Sequence, residues 1–177
     1  MNAPGPGIDG RALRRALGRF PTGVCVTTAS VDGERLGMTM NSFGSLSLDP
    51  PLVLFSIDRR ASSLSLWERA PGYAINVLAA NQGAISDRFA RPRTNKWEGI
   101  DFEAGLFDAP VLPGVAAAFE CEAEIVHDGG DHRLFVGRIL RFRADPDRAP
   151  LVFAGGRYQT LSAGEIAAPL WPLDIHY

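Results

Sequence analysis

The chain has 177 residues, 46% hydrophobic and 21% charged. That balance suits one globular domain burying about 70% of the surface its unfolded form exposes, and it disfavours disordered or fibrous classes. A formal charge of −2 leaves no surplus of cations for a nucleic acid and no polybasic block for an anionic bilayer, so neither partner is expected.

Cys25 and Cys121 lie far apart in apolar runs and read as buried, inert thiols in a reducing compartment. The first residues lack a cationic start followed by an apolar core, and no later stretch reaches membrane-spanning length. The expectation is a cytoplasmic, single-domain protein over 1–177, with a frayed tail at 1–8 and a C-terminal extension at 163–177.

In chain order, Asp9 is placed to cap a helix whose apolar positions Leu13, Ala16, Leu17 and Phe20 recur at helical spacing, ended by Gly18 and Pro21. A strand is expected over Val24–Val31, a tight turn at Asp32-Gly33, where both residues tolerate positive φ, and a returning strand from about Leu36. PLVLFSI, Pro51–Ile57, is near-continuously apolar and reads as a buried strand. Ser62 precedes a short helical pattern with Leu64 and Trp67; YAINVL, Tyr73–Leu78, reads as a strand. Asn81 is placed to cap a second short helix carrying Ile85 and Phe89.

The stretch from Arg91 to Gly114, rich in Pro, Gly and Asp, has no steady period and reads as a long excursion. Two long strands then flank Gly129-Gly130, with a loss of phase near Gly137 that predicts a bulge. Many strands, short helices and hairpins favour an antiparallel barrel over a doubly wound sheet.

Chemistry concentrates in GMTMNSFGSLSLDPP, Gly37–Pro51. Its short hydroxyl and amide side chains and exposed backbone N–H groups suit a phosphate or the polar edge of a planar heterocycle, although a Ser-rich turn has the same composition. Ser62-Ser63 after Arg59-Arg60 fits a phosphate site, or merely a helix cap beside solvated arginines. His132 is placed either to contact a ring or to serve the strand start. Gly155-Gly156-Arg157-Tyr158 offers a bend, a cation and an aromatic face, or a plain turn. No P-loop, dinucleotide GxGxxG, HExxH, paired CxxC or GxSxG is present, which is compatible with hydride transfer between two positioned rings.

Taken together, the ordered blocks ALGRFPTGVCVTTA, GMTMNSFGSLSLDPPLVLFSI, the Ser62-Ser63 pair, YAINVLAANQGAISDRFA, NKWEGIDF, GDHRLFVGRI and PLVFAGGRYQTL resemble the flavin reductase family of FMN-binding split barrels. That family includes the reductase components of two-component flavin monooxygenases. The resemblance implies a mainly β fold with short helices, a six-stranded antiparallel Greek-key split barrel, forming a homodimer with flavin near the subunit interface. The implied activity is hydride transfer from NADH or NADPH to FMN or FAD, with reduced flavin passed to a partner monooxygenase.

By position, the resemblance assigns Thr39, Met40, Asn41, Ser42, Ser45, Leu46 and Ser47 to the flavin, Ser62 and Ser63 to its phosphate, and Arg88 and Phe89 to the same cofactor. His132 and Tyr158 fall near the nicotinamide, with His132 the catalytic candidate. No metal is implied. Met40 and Gly44 stand where similar proteins usually carry Ala and often Thr, which leaves the choice between FMN and FAD open. A flavin-retaining electron-transfer or oxidase protein is one alternative; a non-catalytic flavin- or haem-binding module is another.

Overall fold

The computed structural model describes residues 7–92 and 95–161. The expected C-terminal extension, with Trp171 and Tyr177, and all but the last two residues of the expected N-terminal tail lie outside them. The elements in order are α1 (Gly10–Leu17), β1 (Thr22–Gly23), β2 (Cys25–Val31), β3 (Glu34–Met40), β4 (Gly44–Leu48), β5 (Pro51–Asp58) and α2 (Leu64–Trp67). There follow β6 (Gly72–Val77), α3 (Gly83–Ala90), β7 (Glu103–Ala104), a 3₁₀ turn at Leu106–Asp108, β8 (Pro110–Val111), β9 (Ala117–Gly129), β10 (His132–Ala144), β11 (Val152–Ala154) and β12 (Arg157–Gln159).

The fold is mainly β with short helices. Its main sheet has seven strands in the order β3-β2-β6-β9-β10-β5-β4, every pairing antiparallel. Six strands were expected. The run 34–48 divides at Asn41–Phe43 into two strands, one pairing with β2 and the other with β5, so one passage of chain supplies both edges of the sheet. The two edges therefore lie three residues apart along the chain. The Ser42 hydroxyl fixes the crossing, donating to the Ser56 carbonyl at 3.2 Å and accepting from the Ser56 N–H at 3.0 Å.

Local signals place the turns. Asp32 (φ 51°) and Gly33 (φ 81°) form the β2–β3 hairpin, where a two-residue loop needs positive φ at both positions to follow the strand twist. The long β9–β10 hairpin turns at Gly130-Asp131, one residue later than expected, and its register shifts at Val136/Gly137, which is the predicted bulge. The Asp9 carboxylate caps α1 through the Arg11 N–H at 2.9 Å.

Two other caps differ from expectation. Ser63, not Ser62, occupies the N-cap of α2, and Gln82, not Asn81, that of α3; neither makes a side-chain capping bond. Gln82 is engaged elsewhere, accepting from the Ala79 N–H and donating to the Pro113 carbonyl.

The core lies on both faces of the sheet. Inside, Phe55 and Phe135 stack with centroids 5.1 Å apart, and Tyr73 meets Phe55 edge-on at the same distance; Trp67 of α2 closes this cluster. Cys25 and Cys121 sit in it as free thiols, and burial pushes each up to about 12, where the reactive thiolate is scarce at neutral pH. Outside, Val24, Val26, Ala74 and Leu78 pack under Phe89 of α3, under Leu112 of the excursion and under Val115 just beyond it. Thus β2 and β6 are covered on both sides, whereas β5 alternates, with Val53, Phe55 and Ile57 inward and the intervening residues half-buried.

Asn76 nails the excursion to β6. Its buried amide donates to the Val26 and Pro110 carbonyls and accepts from the Leu112 N–H at 2.8 Å. No helix among the described residues is long and apolar enough to cross a membrane.

Candidate active site

The outer edge of β3 forms the floor of a groove of about 790 Å³. Residues Arg35, Gly37, Met38 and Thr39 line it from β3, Arg60–Ser63 from the segment entering α2, and Phe89, Asn95, Lys96 and Trp97 from α3 and the loop beyond. An unpaired sheet edge presents a row of backbone acceptors. Here side chains from the excursion satisfy two of them: Trp97 Nε1 donates to the Arg35 carbonyl at 3.0 Å, and Lys96 Nζ to the Gly37 carbonyl at 3.0 Å.

Close packing holds α3 against that edge. A Cβ on Gly37 would stand 2.5 Å and 2.6 Å from atoms of the Phe89 ring, so only glycine lets the ring lie on β3. The Thr39 hydroxyl donates to the Ser86 carbonyl at 2.6 Å, and Phe89, Trp97 and Phe102 meet edge-on in sequence. The groove is thus lined by Trp97, backed by the buried Phe89 ring, and by Ser62 and Ser63.

Lys96 is the notable charge. It is half-buried, its Nζ also donates to the Phe89 carbonyl at 2.8 Å, and it has no carboxylate partner among the described residues. Burial lowers its pKa. Arg60 at the groove mouth is instead turned on Asp58, donating through Nε at 3.0 Å and Nη2 at 2.6 Å. That guanidinium holds the Asp58 carboxyl well below the usual carboxylate range.

Of the residues singled out from the sequence, the groove brings together Thr39, Ser62, Ser63 and Phe89. Met40 points the other way, since side chains alternate along a strand: it is buried in the inner core and its sulfur accepts the Thr27 hydroxyl at 3.1 Å. Asn41, Ser42, Ser45, Leu46 and Ser47 lie on the crossing and on β4, outside the groove lining. Leu46 occupies the β4 bulge.

The Arg88 guanidinium does not face the groove. It donates to the Lys96 carbonyl at 2.9 Å and to the Glu98 carbonyl. The Tyr158 hydroxyl bonds Ser86 Oγ at 2.8 Å and Asp87 Oδ1 at 2.7 Å, tying the β11–β12 hairpin to α3. His132 stands opposite Asp58 at the hairpin end, with Nδ1 2.7 Å from Asp131 Oδ1, and lines no part of the groove. Lys96 and Trp97 carried no assignment from the sequence; the adjacent basic and aromatic residues in NKWEGIDF were their only signal.

The donor set fits a phosphorylated planar ligand: the hydroxyls of Ser62 and Ser63, the indole of Trp97, and the Lys96 ammonium with no carboxylate partner among the described residues. Comparison with known proteins agrees. The flavin reductase like domain family matches residues 17–162. The chain is 44% identical over 156 residues to FMN reductase (NADH) SmoA of Agrobacterium fabrum, covering 88% of each chain.

It is also 36% identical to the flavin-dependent monooxygenase reductase subunit HsaB of Rhodococcus jostii, over 95% of this chain and 86% of that one. Among solved structures, the NADH:FAD oxidoreductase SgcE6 of Streptomyces globisporus, in complex with NAD and FAD fragments, superposes with a TM-score of 0.85 at 34% identity. That match covers 93% of this chain and 99% of the other. The chain belongs to the flavin reductase family of oxidoreductases.

Proposed function

We propose that this chain transfers a hydride from NADH or NADPH to FMN or FAD seated in the β3-edge groove and releases the reduced flavin to a partner monooxygenase. The observation that carries this reading is the convergence of Thr39, Ser62, Ser63, Lys96 and Trp97 on one cleft. When bound, the flavin supplies the two-electron acceptor; the protein contributes position, charge and exclusion of water.

Ser62 and Ser63 offer hydroxyl donors to the phosphate, while Lys96 holds positive charge beside it. The Thr39 hydroxyl is committed to Ser86, so its role is to fix the floor against α3. Trp97, backed by the buried Phe89 ring, presents the apolar surface along which a ring can lie, and water is displaced from it. No side chain is required to exchange a proton with the nicotinamide carbon.

The finer architecture belongs to the same proposal. Because the sheet edges β3 and β4 are joined by Asn41–Phe43, the sheet curls on itself as a six-stranded Greek-key split barrel once 34–48 is counted as one strand. Two copies form a homodimer in the cytoplasm. Asn41, Ser45, Leu46, Ser47 and His132, which lie outside the lining of this groove in one chain, then become candidates to complete it from the interface side.

The test is nicotinamide oxidation followed with FMN, FAD and riboflavin in turn. Rapid turnover with added flavin and purification without tightly held colour support the proposal. A retained flavin that is reduced but never released favours an electron-transfer protein, and absence of nicotinamide-dependent reduction removes the catalytic reading.

A further inference from the structure

The neighbourhood of Lys96 holds an arrangement that the reductase reading does not use. Arg88, from the last turn of α3, donates to the carbonyls of Lys96 and Glu98. Lys96, from the loop, donates back to the carbonyl of Phe89 and onward to that of Gly37 on β3. Arg88 thus holds the loop backbone at Lys96, while the Lys96 ammonium holds the helix end at Phe89 and the sheet edge at Gly37, and neither cation has a carboxylate partner among the described residues.

Helix C-terminal carbonyls have no intrahelical donor, and a cation there is favoured by the helix dipole. An edge strand likewise leaves alternate carbonyls unpaired. Lys96 satisfies one of each with a single ammonium, so its position fixes the gap between the end of α3 and β3. The adjacent Trp97 is fixed in turn through Arg35. Both residues line the groove.

We propose that Lys96 is a positioning residue for flavin, and that the clasp made by Arg88 on the loop backbone and by Lys96 on the Phe89 and Gly37 carbonyls sets the width of the groove and the stance of its Trp97 wall before any ligand arrives. This rests on the reading of the groove as the flavin site. It separates Lys96 from a simple phosphate counter-charge, because a width-setting clasp governs flavins with and without phosphate alike.

The test compares wild type with Lys96→Met, which keeps the stem and removes the donors, and Lys96→Arg, which restores them. Binding of FMN and of riboflavin is titrated in each, and backbone hydrogen exchange is followed over 83–100. In Lys96→Met, riboflavin affinity is expected to fall about tenfold, the loss expected when hydrogen bonds to a charged group are removed, with FMN falling at least as far. Exchange at 95–100 should quicken while the β9–β10 amides stay protected, and Lys96→Arg should recover at least part of both changes.

Unchanged riboflavin binding beside weakened FMN binding would overturn the proposal and leave Lys96 as a counter-charge only. Unchanged exchange at 95–100 would overturn it as well. If wild type bound neither flavin, the reading of the groove would fail on its own, while the exchange experiment would still decide whether the clasp exists.

Discussion

Gly37 shows how much of the groove depends on one missing methyl. The Phe89 ring is fully buried between β3, Trp97 and the outer core, so it has no solvent-side rotamer to escape to when a Cβ appears 2.5 Å away. Overpacking of this kind typically costs about 1–3 kcal/mol. Gly37→Ala is expected to lower stability by that amount in chemical denaturation and to weaken flavin binding, because α3 must lift off the edge it covers. A denaturation midpoint equal to wild type, with flavin affinity intact, would show that the ring has room the packing does not suggest.

The ion pair between β9 and β10 makes a case about elements. Glu120 is nearly buried and receives both Arg141 Nε and Nη2 at 2.6 Å, with the Leu106 N–H adding a third bond at 2.7 Å. The Arg141 bonds, above all, hold its pKa below the ordinary value against the opposing effect of burial. A carboxylate depressed on folding stabilises the native state above its unfolded pKa, and that contribution is lost as pH falls through the folded pKa.

Glu120→Gln is therefore expected to reduce stability by about 1 kcal/mol near neutrality, an amount tempered by the exposure of Arg141. The difference from wild type should shrink as the pH is lowered below the ordinary glutamate range. Thermal melts of both proteins from pH 7 down to pH 3 would show it; a gap that widened on acidification would mean the pair is not the source.

The same elements show what was legible beforehand. Features decided by neighbours in sequence came through: the Asp9 cap, the Asp32-Gly33 hairpin, the bulge at Gly137. The cap of α3 slipped by one residue because Gln82, whose side chain reaches Ala79 and Pro113, takes the position that Asn81's composition suggested; in α2 the adjacent serines offer the same chemistry, and Ser63 takes the cap. In the site, Thr39, Ser62, Ser63 and Phe89 were readable as hydroxyl and aromatic clusters. Lys96 and Trp97 were not, since their roles exist only through carbonyls 59 and 62 residues away. The Met40 side chain lies off the groove for a simpler reason: alternation along β3 sends it to the core if Thr39 faces the groove.

Considered as one body, the chain leaves apolar surface that a monomer has no use for. Leu17 and Phe20 of the α1 region are 67% and 75% exposed, and Leu140 and Phe142 of β10 are 50% and 70% exposed. The arginines of β10 alternate to the face away from Phe142 and are paired there within the chain: Arg138 with Glu124, Arg141 with Glu120 and Arg143 with Glu103. A patch whose neighbouring charges are paired internally can meet its own copy across a two-fold axis without like-charge repulsion, and contiguous exposed apolar surface usually marks an interface.

The proposed homodimer should therefore bury this face, at about 800 Å² per partner for a standard interface. Sedimentation is expected to give twice the 19.1 kDa chain mass for wild type and to shift toward a single chain for Phe142→Glu, since desolvating an unpaired carboxylate at the seam is costly. Phe142 only stacks on Phe119 at the surface, so the variant should stay folded by circular dichroism. If it sedimented as a stable dimer indistinguishable from wild type, the seam would have to be sought elsewhere, with the α1 face next in line.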